Sequence, residues 1–134
     1  MRLSLAALLF LCLVKAFASL PPAKPPITGF RPDLDIYPQN FAITTDSSSR
    51  IYLGNGDGVL VYDGEYWELI PTSNGDIVRS LAYDGAHRIY VGGYDAFGYL
   101  EQDNTGKFRY VELSMLYSEF LGEDLFADIW HLEV

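Results

Sequence analysis

Cysteine is nearly missing from this chain. Its one copy, Cys12, lies in an apolar N-terminal run, which leaves the remainder without disulfides or thiolate chemistry. Basic residues are scarce too, with nine Lys and Arg against eighteen Asp and Glu and a formal charge of −9. A polyanion would meet net repulsion, so nucleic acid is excluded as a partner of this segment. The two histidines, His87 and His131, have none of the HxH, HxxxH or HExxH spacings of a zinc site. His87 reads as a turn residue and His131 as a packing residue. No G-x-S-x-G elbow is present, and no nucleophilic triad can be assembled. These absences set the expectation of no metal, no cofactor and no catalytic residue. Helical periodicity is also lacking before Ser114, which points away from an α-rich fold.

The N-terminus carries an address rather than a fold. Arg2 supplies a positive start, Leu3 to Val14 is almost wholly apolar, and Ala16-Phe17-Ala18 has the small-x-small form of a cleavage site. The apolar run of about 12 residues falls short of the roughly 20 needed to span a bilayer. A signal peptide over residues 1–18 is therefore expected, with export to the periplasmic side of a bacterial inner membrane. Without Arg2 and Lys15 the formal charge becomes −11. Residues 19–39 hold six of the seven prolines, which cannot donate ladder hydrogen bonds, and read as an extended leader.

What the chain does have is a repeat. Arg50-Ile51-Tyr52-Leu53-Gly54 returns as Arg88-Ile89-Tyr90-Val91-Gly92 after 38 residues. Around each copy stand short runs rich in β-branched and aromatic residues, bounded by Gly, Asp, Asn and Ser. The first copy predicts strands at Phe41–Thr45, Arg50–Gly54, Gly58–Tyr62 and Tyr66–Ile70; the second predicts them at Val78–Tyr83, Arg88–Gly92, Gly98–Glu101 and Lys107–Leu113. Asp63-Gly64 predicts a type I′ hairpin turn. Gly54 and Gly92 predict places where backbones approach closely. Asn55-Gly56-Asp57-Gly58 reads as a turn, because no Glu stands where an EF-hand loop needs one. One helical turn is expected around Met115-Leu116-Tyr117.

Ile43, Leu81 and Leu132 fall in one column, so Asp128 to Val134 reads as a third innermost strand. The fold class expected is all-β: four-stranded antiparallel propeller blades at about 40–70 and 77–113, with the start of a third at about 127–134, together a partial β-propeller over 40–134. A ring needs about four or more blades, so the chain reads as the N-terminal part of a longer protein.

The runs RIYLGNGDGVLVYDG, RIYVGGYDAFGYLEQDNTGKFRYVEL and FADIWHLEV resemble two-component regulator propeller repeats. The resemblance covers about Phe41 to Val134. It implies a periplasmic ligand-binding sensor domain built of one or more propellers, followed by a membrane helix and a cytoplasmic output such as a histidine kinase or cyclase. The partners implied are an extracellular solute such as an oligosaccharide and further blades of the same chain, with membrane contact only through downstream regions.

Most aromatics sit at strand positions and read as packing between blades. Tyr94, Asp95 and Phe97, in the loop after the sixth strand, are expected to share one face with Tyr117 and Glu119. Exposed rings beside hydrogen-bonding side chains suit stacking on a sugar or holding a peptide, which makes these five residues the candidate ligand site. The sequence leaves open a protein-interaction scaffold and a secreted carbohydrate-active hydrolase or lyase using loop acids such as Asp57, Asp76 and Asp95.

Overall fold

A computed structural model describes residues 24–121 and 127–134. The signal peptide expected over residues 1–18 lies outside the described residues. The chain divides into two units, Met1–Arg31 and Pro32–Val134. Described residues 24–31 of the first are exposed and without regular structure, as the prolines of the leader dictate.

The second unit holds two four-stranded antiparallel sheets, each in simple chain order. The first comprises β1 (Asn40–Thr45), β2 (Ile51–Asn55), β3 (Gly58–Tyr62) and β4 (Trp67–Ile70). The second comprises β5 (Val78–Tyr83), β6 (Ile89–Gly93), β7 (Phe97–Gln102) and β8 (Phe108–Glu112). The fold of the described residues is all-β apart from one helix, α1 (Ser114–Leu121). The helix is longer than the single turn expected. All eight strand segments lie where the repeat pattern predicts them, their ends displaced by no more than about two residues.

Equivalence between the sheets extends to register. Thr44 pairs with Tyr52 and Ala82 with Tyr90, while a bulge interrupts β1 between Asn40 and Ala42 and β5 between Val78 and Ser80. Thirty-eight residues therefore repeat one pairing scheme, irregularity included. Along β5 burial alternates, and the bulge turns Val78 toward Gly54 of the first sheet and Ser80 toward Ile129 on the other side.

Aspartates close all four turns at one end of the sheets. Asp46 Oδ1 accepts from Ser48 and Arg50 N–H, Asp84 Oδ1 from Ala86, His87 and Arg88, and Asp103 Oδ1 from Thr105 and Lys107. Asp63 Oδ1 accepts from Glu65 and Tyr66. The short side chain satisfies N–H groups that the turn would otherwise leave unpaired. The type I′ turn expected at Asp63-Gly64 is not formed. Only Gly64, at φ 108°, has a positive φ, whereas type I′ needs two such residues. The Asp63 carboxylate instead organises a four-residue loop closed by Asp63 N–H to Tyr66 O at 3.3 Å.

The sheets converge at their first strands, where β1 runs beside β5, and diverge toward β4 and β8, which barely touch. Between them lies a core of Tyr52, Val59, Val61, Ile70, Val78, Ile89, Val91 and Leu100. Burying each such aliphatic side chain contributes about 1.5–3 kcal/mol. Tyr52 of one sheet meets Phe108 of the other edge to face, with ring centres 5.9 Å apart.

Close approach at the two repeat glycines is observed. A Cβ on Gly54 would stand 2.9 Å from Val78 Cγ1 and 2.9 Å from Val78 O, and one on Gly92 would stand 2.7 Å from Ile129 Cγ2. Ile129 thus occupies against the second sheet the place that Val78 occupies against the first. The strand expected over Asp128–Val134 is not formed, however. Tyr94 and Asp128 make an isolated antiparallel bridge, Ile129 N–H donates to Gly93 O at 2.9 Å, and Ser80 Oγ donates to Ile129 O at 2.7 Å. Among the described residues, these bonds of its backbone run to the second sheet.

Candidate functional site

Antiparallel pairing puts the β2–β3 loop (Gly56, Asp57), the β6–β7 loop (Tyr94, Asp95, Ala96) and the links after β4 and β8 at the end of the sheets opposite the Asp-capped turns. Gly93 N–H donates to Ala96 O at 2.8 Å and closes the β6–β7 loop, and Asp95 takes a left-handed φ of 52° within it. Asp is among the few non-glycine residues that tolerate this conformation. Tyr94 is 59% exposed at the tip.

Phe97 opens β7, half-buried, and its carbonyl accepts from Leu113 N–H at 2.9 Å. That bond brings the start of α1 beside the loop. The rings of Phe97 and Tyr117 meet edge to face, their centres 6.3 Å apart and their planes at 79°. Of the five residues singled out by sequence, Phe97 and Tyr117 are thus in direct contact. Tyr94 is joined by backbone to Asp128, Asp95 shapes the loop, and Glu119 is exposed further along α1. Met115, Leu116 and Phe120 are also exposed on this helix.

Two features of this end were not anticipated. Asn55, fully buried, donates through Nδ2 to Tyr37 O, Gln39 O and Asn40 Oδ1 at 2.8, 3.1 and 2.7 Å, and its Oδ1 accepts from Asp57 N–H at 3.0 Å. Asp57 in turn accepts from Tyr37 N–H at 2.6 Å. The chain entering β1 is thereby fastened over the β2–β3 turn, with the Tyr37 ring above Gly56 where a Cβ would meet it at 2.4 Å. The other feature is a stack of Phe41, Arg79 and Trp130. The Arg79 guanidinium lies 5.3 Å from the Phe41 ring centre and 4.4 Å from that of Trp130, and its Nε pairs with Asp128 at 2.6 Å. These three residues stand one column from Val78 and Ile129, so the repeat alignment could have found them.

His87 lies exposed in the Asp84 turn, and His131 is exposed rather than packed. No helix among the described residues is long and apolar enough to cross a membrane. No family model matches the chain, and neither a curated protein nor a solved structure matches it.

Proposed function

We propose that the chain belongs to a periplasmic β-propeller sensor domain, whose loop face binds a small extracellular solute such as an oligosaccharide and whose occupancy regulates a cytoplasmic output. The observation that carries the reading is the repeated seating of one unit on the next: Val78 on Gly54, then Ile129 on Gly92. Wedge-shaped sheets that converge at their first strands and add by a constant contact are what a ring of blades requires. On the loop face, Tyr94 offers an exposed ring, the Phe97–Tyr117 pair a second apolar surface, and Asp95 a carboxylate. Ring stacking together with a few placed polar groups suits a sugar. The exposed Met115, Leu116 and Phe120 on α1 favour a second reading, a propeller that serves as a protein-interaction scaffold.

Retention of the full chain on an array of immobilised oligosaccharides separates the two. The sensor reading expects specific retention, weakened about tenfold, or roughly 1.4 kcal/mol, by Tyr94→Ala or Phe97→Ala. Asp63→Asn, at the opposite end, should leave it within twofold. No retention of any glycan, or equal losses in all three variants at matched thermal stability, would sink this assignment.

A further inference from the structure

Between the two sheets, at the end that carries the Asp-capped turns, a cavity of about 430 Å³ opens beside the β1–β2 and β5–β6 turns. That size falls within the roughly 300–1,000 Å³ of small-ligand sites. A second cavity of about 220 Å³ adjoins it beside the β3–β4 and β7–β8 turns. Arg50, Gln102 and Phe108 line both, so the two form one groove with these residues at its neck. With strands about 4.8 Å apart, the hairpins it crosses are separated by roughly 10 Å, the span of a short oligosaccharide rather than of a single sugar. The groove runs across turns and not along a strand edge, so an extended peptide finds no ladder to join.

Strand alternation decides which side chains reach the groove. Arg50 shares the face of Tyr52, which meets Phe108 of the other sheet, whereas Arg88 in the next copy shares the face of Tyr90 and lies over Tyr99, away from the first sheet. Arg50 is therefore the guanidinium of the groove, and its charge is matched. Its Nε pairs with Asp46 Oδ2 at 2.6 Å, and its guanidinium lies 4.9 Å from the Phe108 ring centre. Asp46 is saturated, since Oδ1 accepts from Ser48 and Arg50 N–H and Oδ2 from Arg50 Nε and the Tyr52 hydroxyl. The Nη groups of Arg50 make no hydrogen bond among the described residues, which leaves at the neck a planar donor fork fixed by an ion pair and a ring. Beside it Gln102 gives Nε2 to Gly106 O at 2.6 Å and keeps Oε1 as an acceptor.

The outer cavity supplies the complementary groups. Tyr66 lines it and is 67% exposed. Glu68 stands opposite Val61 of the core in the sheet register, so it shares the face turned to the second sheet, and it forms no ion pair among the described residues. Asp63, also in the lining, engages Oδ1 with two N–H groups of its own turn. One guanidinium thus stands against three carboxylates, Asp46, Asp63 and Glu68, which repels an anionic ligand. A sugar offers hydroxyls that donate strongly to a carboxylate, oxygens that accept from a guanidinium fork, and an apolar ring face that stacks on an aromatic. We propose that this groove is a second solute site, which takes a neutral oligosaccharide with one ring against Tyr66 and Glu68 and the next at the Arg50 fork.

Retention of the full chain on immobilised neutral oligosaccharides and on their uronic-acid counterparts tests the site. At least one neutral glycan should be retained in a way that Tyr66→Ala weakens about tenfold and Glu68→Gln and Arg50→Lys weaken severalfold, while Tyr94→Ala leaves it within about twofold. Tyr66 and Glu68 are exposed, so their replacement reports binding rather than folding. If every retained glycan answers to Tyr94→Ala and none to Tyr66→Ala, the groove is overturned and the loop-face reading stands. The reverse pattern alone keeps the groove and removes the loop face. Stronger Tyr66-dependent retention of the uronic-acid counterparts would overturn the neutral class. If no glycan is retained both sites fall, and trilysine bound instead, and lost with Glu68→Gln, would reassign the groove to a basic peptide.

Discussion

Replacing Asn55 by Asp changes one NH2 group into an oxygen and leaves the volume almost untouched. At this position the exchange should be severe. Nδ2 faces three oxygens within 3.1 Å, two of them backbone carbonyls and the third Asn40 Oδ1, in a residue with no solvent exposure. Asn55→Ala removes these bonds and leaves their partners to find others, at about 1–3 kcal/mol for each buried group left unsatisfied. Its total is expected at about 2–4 kcal/mol, since the carbonyls of Tyr37 and Gln39 border exposed residues and recover some solvation. Asn55→Asp has the same volume and a worse chemistry, because an ionised carboxylate there meets acceptors where a donor is required. Burial and those acceptors raise the folded pKa of the new carboxyl above its unfolded value of about 3.9. A raised folded pKa means that the protonated form stabilises: its contribution is whole below the unfolded pKa and is lost as pH rises through the folded one. The deficit of Asn55→Asp against the unaltered chain should therefore grow between about pH 4 and pH 7, whereas that of Asn55→Ala should stay flat. Urea unfolding followed by Trp67 and Trp130 fluorescence, each variant compared with the unaltered chain at the same pH, measures both. A deficit for Asn55→Asp that is absent at pH 7, or that does not change with pH, would refute the clamp.

The remaining expectations are simpler. Gly54→Ala places a methyl 2.9 Å from both Val78 Cγ1 and Val78 O, and overpacking against a backbone atom should cost about 1–3 kcal/mol, at about 4–8 °C of Tm per kcal/mol. Gly29→Ala, with nothing within 4 Å, is the control, and equal melting of the two variants would remove the inter-sheet contact from the account. For Asp46, burial pushes the pKa up, but hydrogen bonds from Arg50 and Tyr52 outweigh it and hold the carboxyl below its ordinary 3.8. A depressed folded pKa contributes stability above the unfolded value that is lost as pH falls through the folded one. Asp46→Asn should accordingly flatten the acid limb of stability below about pH 4, and an acid limb of unchanged slope would count against the Asp46–Arg50–Tyr52 cluster.

The positions of strands were legible because period-two burial and Asp-rich turns are local signals, and β5 shows both, alternating through VRSLAY into the Asp84 turn. Turn type was less legible. Asp-Gly is compatible with a two-residue loop or a four-residue one, and the Asp63 carboxylate, by binding two N–H groups, selects the longer. The third innermost segment divides the lesson further. Its register could be read, since Ile129 packs where the column places it, but a ladder is a property of two strands and no single strand announces its partner. At the loop face the Phe97–Tyr117 contact follows from knowing which loops share an end. The setting of Arg88 follows from strand alternation rather than from the repeat letters. Arg50 and Arg88 are the same letter in the same place, each four residues after an Asp. What separates them is what each one meets: Arg50 reaches Asp46 Oδ2 and lies over the Phe108 ring of the other sheet, while Arg88 lies over the Tyr99 ring of its own sheet. A repeat can therefore keep its architecture while altering its chemistry from one copy to the next.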